Sequence, residues 1–304
     1  MSAPSSETSQ ESADPASAGA AGGSTLAARG APPKGTRRRL SRALGPRRFG
    51  PVNWLGLWSL YLKEVRRFLN VATQTVAAPV ITTLLFLAIF TLALGRSVET
   101  VHGVVFAQFL APGLIMMSMV QNAFANTSSS LVISKIQGNI VDVLMPPINA
   151  TEFVVAYAAA GVTRGIVVGA SVGIVMAFFV PVVIHHLWAV LYFSIAASLM
   201  LSSIGMIAGI WADKFDHMAA ITNFVITPFA FLSGTFYSIE RLPPPFYEIA
   251  HFNPFFYMID GFRYGFIDQS DTSPWLGALV MLSINLGLLA IAWGLVRRGW
   301  KLKA

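Results

Sequence analysis

The sequence predicts an all-α integral membrane protein with six transmembrane helices, an N-terminal interfacial helix, and short outer-leaflet helices before the last span. Three observations carry that expectation. The 304 residues are 55% hydrophobic and 12% charged, with a mean hydropathy of +0.63, about half the charged fraction of an ordinary soluble chain. Six apolar runs totalling 140 residues contain a single full charge, Arg164. The remaining Lys and Arg residues gather almost entirely on one side of those runs. The absence of cysteine excludes a disulfide framework, thiolate metal ligation and a cysteine nucleophile together.

Residues 1–50 are rich in Ala, Ser, Gly and Pro, have no aromatic residue before Phe49, and turn basic from Lys34. Such a stretch cannot bury enough apolar surface to offset its ordering entropy, so a disordered basic cytoplasmic tail beside anionic lipid is expected. It has no apolar core after its start and does not read as a signal peptide. Residues 51–304 form the transmembrane domain, opening with an amphipathic helix over 54–71. Trp54, Trp58, Tyr61, Val65 and Phe68 share one face at helical spacing, and Lys63, Arg66, Arg67 and Asn70 the other. That pattern suits a helix lying in the membrane surface.

The six runs, at 76–94, 104–125, 153–184, 187–211, 218–237 and 275–296, each suffice to cross about 30 Å of hydrocarbon at about 1.5 Å per residue. Pro79, Pro112, Pro181 and Pro228 are tolerated where neighbouring helices satisfy the freed carbonyls. An even number of spans puts both termini on one side. Seventeen basic residues share that side, against Arg96, Arg241 and Arg263 on the other. The positive-inside rule makes the termini cytoplasmic. The pI near 9.9 is therefore topology rather than a nucleic-acid signal.

Several motifs can be weighed on their residues. None of the six Lys follows a Gly, so a phosphate-cradling nucleotide loop is missing. If ATP drives this chain, another chain hydrolyses it. Gly169-Ala-Ser171-Val-Gly173 matches a serine-hydrolase pattern, which needs a strand-to-helix turn. Here it sits inside a span. Gly161, Gly165, Gly169 and Gly173 recur every fourth residue, and Gly205 and Gly209 repeat the spacing in the fourth span. Such small faces admit close approach of another helix, and these two spans are the expected tight contacts. Arg164 lies about 18 Å along the helix from Glu152. An intramembrane charge is either a functional group or a buried donor to carbonyls and hydroxyls. His102, His185, His186, His217 and His251 show no metal-ligand spacing, so no metal site is expected.

Two connections are long. In 238–274, Asn253 before Pro254 is a helix-start signature, after which Phe255, Met258, Ile259, Phe262 and Phe266 fall on one face; a second short helix starts near Pro244 and Pro245. Both would dip into the outer leaflet as a lid or a gate, with Glu240, Glu248, Asp260, Asp268 and Asp271 toward water. In 126–152, the stretch 134–148 reads as a short cytoplasmic surface helix. Its apolar Ile136, Ile140, Val143 and Leu144 suit a groove on a partner protein.

An interfacial helix, six spans, a cytoplasmic helix before the third and a broken apolar insertion before the sixth resemble the ABC-2 type exporter permeases of bacteria, in the branch with nodulation-factor and multidrug exporters. The residues that carry the likeness are Phe231-Leu-Ser-Gly-Thr-Phe-Tyr-Ser238, Leu242-Pro-Pro244, Asn253-Pro-Phe-Phe-Tyr257, Gly261-Phe-Arg-Tyr-Gly-Phe266 and Val143-Leu-Met-Pro-Pro147. The resemblance covers about residues 54–300. It implies a bacterial inner-membrane permease dimer with separate ATP-binding cassette ATPase subunits that hold ATP and Mg, and contact with membrane lipid. Residues 134–147 would be the coupling helix, through Lys135, Ile136, Gln137, Ile140, Asp142, Val143, Leu144 and Met145, with 54–71 the connecting helix. Phe255, Met258, Ile259, Phe262, Arg263 and Phe266 would belong to the outer gate. The implied cargo is an amphipathic, drug-like or lipid-linked compound moved outward; a glycan or lipo-oligosaccharide is the alternative.

Two other classes compete. An intramembrane hydrolase would be built on Ser171. An ion-coupled carrier would need paired intramembrane acids or inverted repeats, and the six runs contain no acid.

Overall fold

The computed structural model describes residues 50, 52–95, 100–101, 103–239 and 243–302. Of the features singled out above, the tail over 1–49 and Arg96, His102, Glu240, Arg241, Leu242 and Lys303 lie outside the described residues.

Helix α1 (Trp54–Leu69) starts where the Asn53 side chain accepts from the Gly56 amide at 2.9 Å, an N-cap. It is held along the first half of α5 (Ala150–Met176) at two points. The Asn53 amide donates to Glu152 Oε1 at 2.6 Å, and the Tyr61 and Thr163 hydroxyls meet at 3.0 Å. The helix expected to lie in the membrane surface is thus packed along a neighbouring helix. Its polar face is also corrected, because Arg67 turns inward onto the fully buried Glu64.

Helix α2 (Ala72–Leu94) tolerates Pro79 in its second turn and leaves Ile81, Leu85 and Leu92 exposed. Strands β1 (Thr100–Val101) and β2 (Val104–Val105) pair antiparallel. They lead into α3 (Phe106–Ile136), 31 residues long and buried on nearly every side, against which α5 and α6 (Leu187–Trp211) pack. Residues 126–133, expected in the connection, continue α3. The reason lies in their hydroxyls. Ser128 Oγ donates to Phe124 O at 2.7 Å and Thr127 Oγ1 to Ser202 O at 2.8 Å, so small polar groups are buried with their hydrogen bonds made. Helix α4 (Ile140–Leu144) follows.

The third expected span ends early. Helix α5 stops at Met176 and residues 177–184 form a turn and an extended stretch, because Pro181 lacks an amide donor and disfavours helix before it. Helix α6 matches 187–211 as expected. The fifth expected span is not one α-helix. It comprises α7 (Phe215–Ile221), a π-helical turn (Thr222–Ile226) and α8 (Thr227–Phe231), then turns through Gly234 at φ +77°. Pro228 cannot donate to the preceding turn, and the widened turn beside it absorbs the misfit. Helices α9 (Pro244–Phe252) and α10 (Pro254–Ile267) precede α11 (Pro274–Arg298).

Among the described residues, four helices are long and apolar enough to cross a membrane: α2, α5, α6 and α11. The remaining two expected crossings fall on α3 and on the α7–α8 run, which makes the arrangement compatible with six. The main core gathers Phe109, Leu114 and Met116 of α3 with Phe193 and Met200 of α6 and Ile259 of α10.

Candidate functional site

Chemistry concentrates at three places: the α3–α5 connection, the α9–α10 pair, and the polar groups between α1, α3 and α5.

At the α3–α5 connection, the surface expected to meet a partner is divided by burial. Ile136, Leu144 and Met145 are exposed, Met145 by 76%, together with Gln137 and Asp142. Ile140 and Val143 are buried in a second apolar cluster with Leu60 and Phe153, so the expectation that they present themselves outward is corrected. The alternation of buried and exposed residues in a five-residue helix allows only one side to face away. Lys135 is also engaged inward. Its Nζ donates to Ile210 O at 2.9 Å and Ala212 O at 2.6 Å and pairs with Asp213 at 3.1 Å. Lys301 reaches the other oxygen of Asp213 at 3.0 Å. The hydrogen bonds from Lys301 and Lys135 hold the Asp213 carboxyl below the usual carboxylate range.

Glu152, which belongs to none of the motifs above, anchors this end. Its Oε2 accepts from the Asn149 amide at 2.8 Å and its Oε1 from Asn53, while Asn53 Nδ2 donates to Pro147 O at 3.1 Å. The readable signal was Asn149-Ala-Thr-Glu152, a capping box. A cleft of about 420 Å³ lies between α1 and this segment, lined by Leu55, Lys63, Asp142, Pro146 and Ile148 among others.

At the α9–α10 pair, Phe255, Met258, Ile259 and Phe262 are buried, and Phe266 is half-buried. Arg263, counted above with the outer loop charges, is only 2% exposed. Its Nη2 donates to Gly234 O at 2.8 Å and its guanidinium lies 3.8 Å from the Phe109 ring centroid. Asp260 is likewise not toward water. Its carboxylate accepts from the Asp271 amide at 2.8 Å and from the Thr272 amide and hydroxyl at 3.1 and 2.9 Å. A Cβ on Gly261 would collide with the Phe193 ring, and one on Gly265 with Val190. Helix α10 is therefore seated directly on α6. Helix α9 differs, with Phe246, Tyr247, Ile249 and Phe252 exposed, Phe252 by 89%.

The glycine rows are close-packing faces whose main neighbour is α3. Added Cβ atoms would meet Thr127 and Ser202 at Gly161, Met119 O, Ala123 and Ser198 at Gly165, Met119 at Gly169, and Ile115 at Gly173. At Gly205 they would meet Phe124 O and Thr127, and at Gly209 Leu131 and Ser128 O. Both rows thus face α3, and only Gly161 and Gly165 also touch α6. Gly161 and Gly165 make the expected tight contact with the fourth span through Ser202 and Ser198, and both rows share a further seat on α3. Ser171 Oγ donates to Val167 O at 2.8 Å, one turn back on its own helix.

Arg164 Nη2 donates to Asn122 Oδ1 at 3.1 Å, and Arg67 Nη2 to Asn126 O and Oδ1 at 2.7 and 3.1 Å. Among the described residues no group of three or more His, Cys, Asp or Glu could hold a metal ion.

A long buried hub helix, a half-exposed connection beside it, a seated α10 at the other end and long apolar helices around them describe a multi-helix membrane protein. Comparison with known proteins narrows that class. Residues 56–267 match the model of the ABC-2 type transporter family. The inner membrane transport permease YadH of Escherichia coli (strain K12) is 38% identical over 253 residues, covering 83% of this chain and 98% of that protein. Nodulation protein J of Rhizobium leguminosarum bv. viciae is 29% identical over 249 residues, covering 80% and 90%. Nodulation protein J of Neorhizobium galegae is 25% identical over 255 residues, covering 82% and 94%. The chain belongs to the ABC-2 type transporter family. It is a multi-pass inner-membrane permease subunit of an ABC transporter, a family whose members work with an ATPase partner.

Proposed function

We propose that this permease exports an amphipathic, drug-like or lipid-linked compound, driven by a separate ATP-binding cassette subunit that holds the ATP and Mg. In this reading it works as a dimer and crosses the membrane six times, through α2, α3, α5, α6, the α7–α8 run and α11, with both termini cytoplasmic. The observation that carries it is the exposed patch of Ile136, Leu144 and Met145 on the short connection between α3 and α5. Three apolar side chains on a segment tied to two long helices suit a groove on a partner. The basic residues Lys135, Lys214, Arg297, Arg298 and Lys301 flank the same end, which the positive-inside rule assigns to the cytoplasm.

The reading is tested by affinity purification of the permease from its own host with its ATPase. Leu144→Arg combined with Met145→Arg is expected to abolish co-purification and stimulated hydrolysis while the permease remains monodisperse. Retention of both activities by the double variant, or labelling of residue 145 from outside intact cells, refutes it.

A further inference from the structure

Beyond α11 the chain turns back sharply. Gly299 caps the helix at φ +63°, and Lys301 follows at φ +54°. Among the described residues Lys301 and Asp268 are the two non-glycine positions with positive φ. Side chains seldom take that conformation, and it persists where the surroundings determine it. Asp268 ends α10 as its cap. Lys301 ends no helix, so its backbone is explained by what residues 301 and 302 reach. Lys301 Nζ donates to Trp211 O at 3.1 Å and to Asp213 Oδ2 at 3.0 Å. Leu302 is 2% exposed and belongs to the apolar cluster that holds Ile140 and Val143 of α4 with Leu60 and Phe153.

Asp213 is shared between two lysines. Its Oδ1 takes Lys135 Nζ at 3.1 Å, and Lys135 also donates to Ile210 O and Ala212 O. Three consecutive carbonyls at the end of α6 are thus capped by two ammonium groups, one from the last turn of α3 and one from the turn after α11. Helix ends of this polarity favour cations, but two cations on one end repel each other. Asp213 is the anion that joins them. Without its charge one lysine must leave. The Lys135 side chain is 13% exposed and holds two carbonyls; that of Lys301 is 37% exposed, holds one, and rests on an unfavourable backbone. Lys301 is therefore the one expelled. Its release removes what determines the turn and withdraws the support of Leu302, on the buried side of α4, whose opposite side carries the exposed Leu144.

We propose that Gly299–Leu302 is a strut closed by Asp213 behind the α3–α5 connection, and that Asp213 and Lys301 are positioning residues for its partner-facing Leu144 and Met145. The positioning role rests on the proposed docking of that connection to the ATPase; the closed turn does not.

The sequence has no cysteine, so a single Leu302→Cys in the full chain in nanodiscs reports the turn through its labelling rate with a water-soluble maleimide. Met145→Cys, at a position 76% exposed, is the open reference. Leu302→Cys is expected to label at least about tenfold more slowly than Met145→Cys, Asp213→Asn to remove most of that protection, and Asp213→Glu to keep it. Lys301→Gln, which leaves the Lys135 pair with Asp213 intact, is expected to open the turn as well and decides if Asp213→Asn does not fold. Equal rates for the two cysteines, a turn still protected without the Asp213 charge or the Lys301 ammonium, or protection lost in Asp213→Glu overturns the strut. With the ATPase bound, Asp213→Asn is expected to lower maximal stimulated hydrolysis about threefold or more at unchanged KM for ATP, because the nucleotide sits on the partner. An unchanged maximal rate overturns the positioning role. Stimulated hydrolysis that survives Leu144→Arg with Met145→Arg overturns the docking reading instead and leaves the labelling result standing.

Discussion

Replacing Glu152 by Gln tests whether one buried carboxylate joins α1 to the α3–α5 connection. The carboxylate accepts two backbone amides at 2.6 and 2.8 Å, from residues 53 and 149, and is 3% exposed. Gln keeps the shape and one oxygen, so its NH₂ must face one of the two amides and one charge-assisted bond is lost. A hydrogen bond to a charged group contributes about 1.5–3 kcal/mol. At roughly 2–4 °C per kcal/mol for a chain of this order of size, the melting temperature should fall roughly 3–12 °C. Trp54 and Trp58 are exposed on α1, and Trp58 stacks on Tyr61 with centroids 5.3 Å apart, so tryptophan fluorescence in detergent follows the release of α1. The freed connection should lose stimulated ATP hydrolysis by the partner while still binding it. A Glu152→Gln protein that melts within about 1 °C of wild type refutes the argument, since the lost bond is then replaced at no cost.

Other outcomes follow from single contacts. Gly205→Ala drives a Cβ to 2.5 Å from Phe124 O, whereas at Gly173 the nearest atom is Ile115 Cδ1 at 3.7 Å. Thermal melts should therefore show Gly205→Ala destabilised by about 1–3 kcal/mol, and Gly173→Ala neutral or raised by up to about 1 kcal/mol through helix propensity. Ser171→Ala removes only a hydroxyl bonded to Val167 O, and should leave transport unchanged; complete loss of activity would revive the hydrolase alternative. The Asp213 carboxyl is held below its ordinary pKa by Lys301 and Lys135. Its contribution is therefore present above the unfolded value of about 3.9 and lost as pH falls through the lower folded value. An acid titration followed by fluorescence of Trp211 and Trp300, which lie 5.8 and 5.7 Å from Lys301 Nζ, should show that transition in the wild type and not in Asp213→Asn.

Hydropathy located the apolar elements because lipid-compatible helices must be continuously apolar over a set length. It failed where helices leave that regime. The Asn126-Thr-Ser-Ser-Ser130 run looks like a loop by polarity, yet it continues α3 because hydroxyls bond the preceding turn or a neighbouring helix. Pro181 and Pro228 were each expected inside a continuous span, but one follows the end of a helix and the other a π-turn; local sequence does not distinguish those outcomes. Amphipathic spacing put Arg67 on the solvent side, and only tertiary structure shows Glu64 drawing it inward. Asp260 was read as solvated because carboxylates usually are, while its three donors come from Asp271 and Thr272, eleven and twelve residues on. The glycine rows were legible as close-packing faces. Their partner was not, since a smooth face does not specify what lies against it.

Helices α9 and α10 are not equally well anchored. Helix α10 is seated on α6 by Gly261 and Gly265, whose positions leave no room for even a methyl group beside Phe193 and Val190. Gly265 O also accepts the amides of His185 and His186 at 2.9 and 3.0 Å, and Arg263 fastens the helix to Gly234. Close-packed contacts of this kind transmit displacement rather than absorb it. The far end of α6 is held in turn, because Lys135 at the end of α3 donates to Ile210 O and Ala212 O. Lys135 thus links the α3–α5 connection to α6, and α6 in turn seats α10. Helix α9 lacks that seat, with Phe252 bare and its ring contacts made through Tyr247, His251 and Phe256. Of the two helices α10 is therefore the one tied to α6, and Asn253 at the junction, whose Nδ2 donates to Phe229 O at 2.9 Å, ties its start to α8 as well.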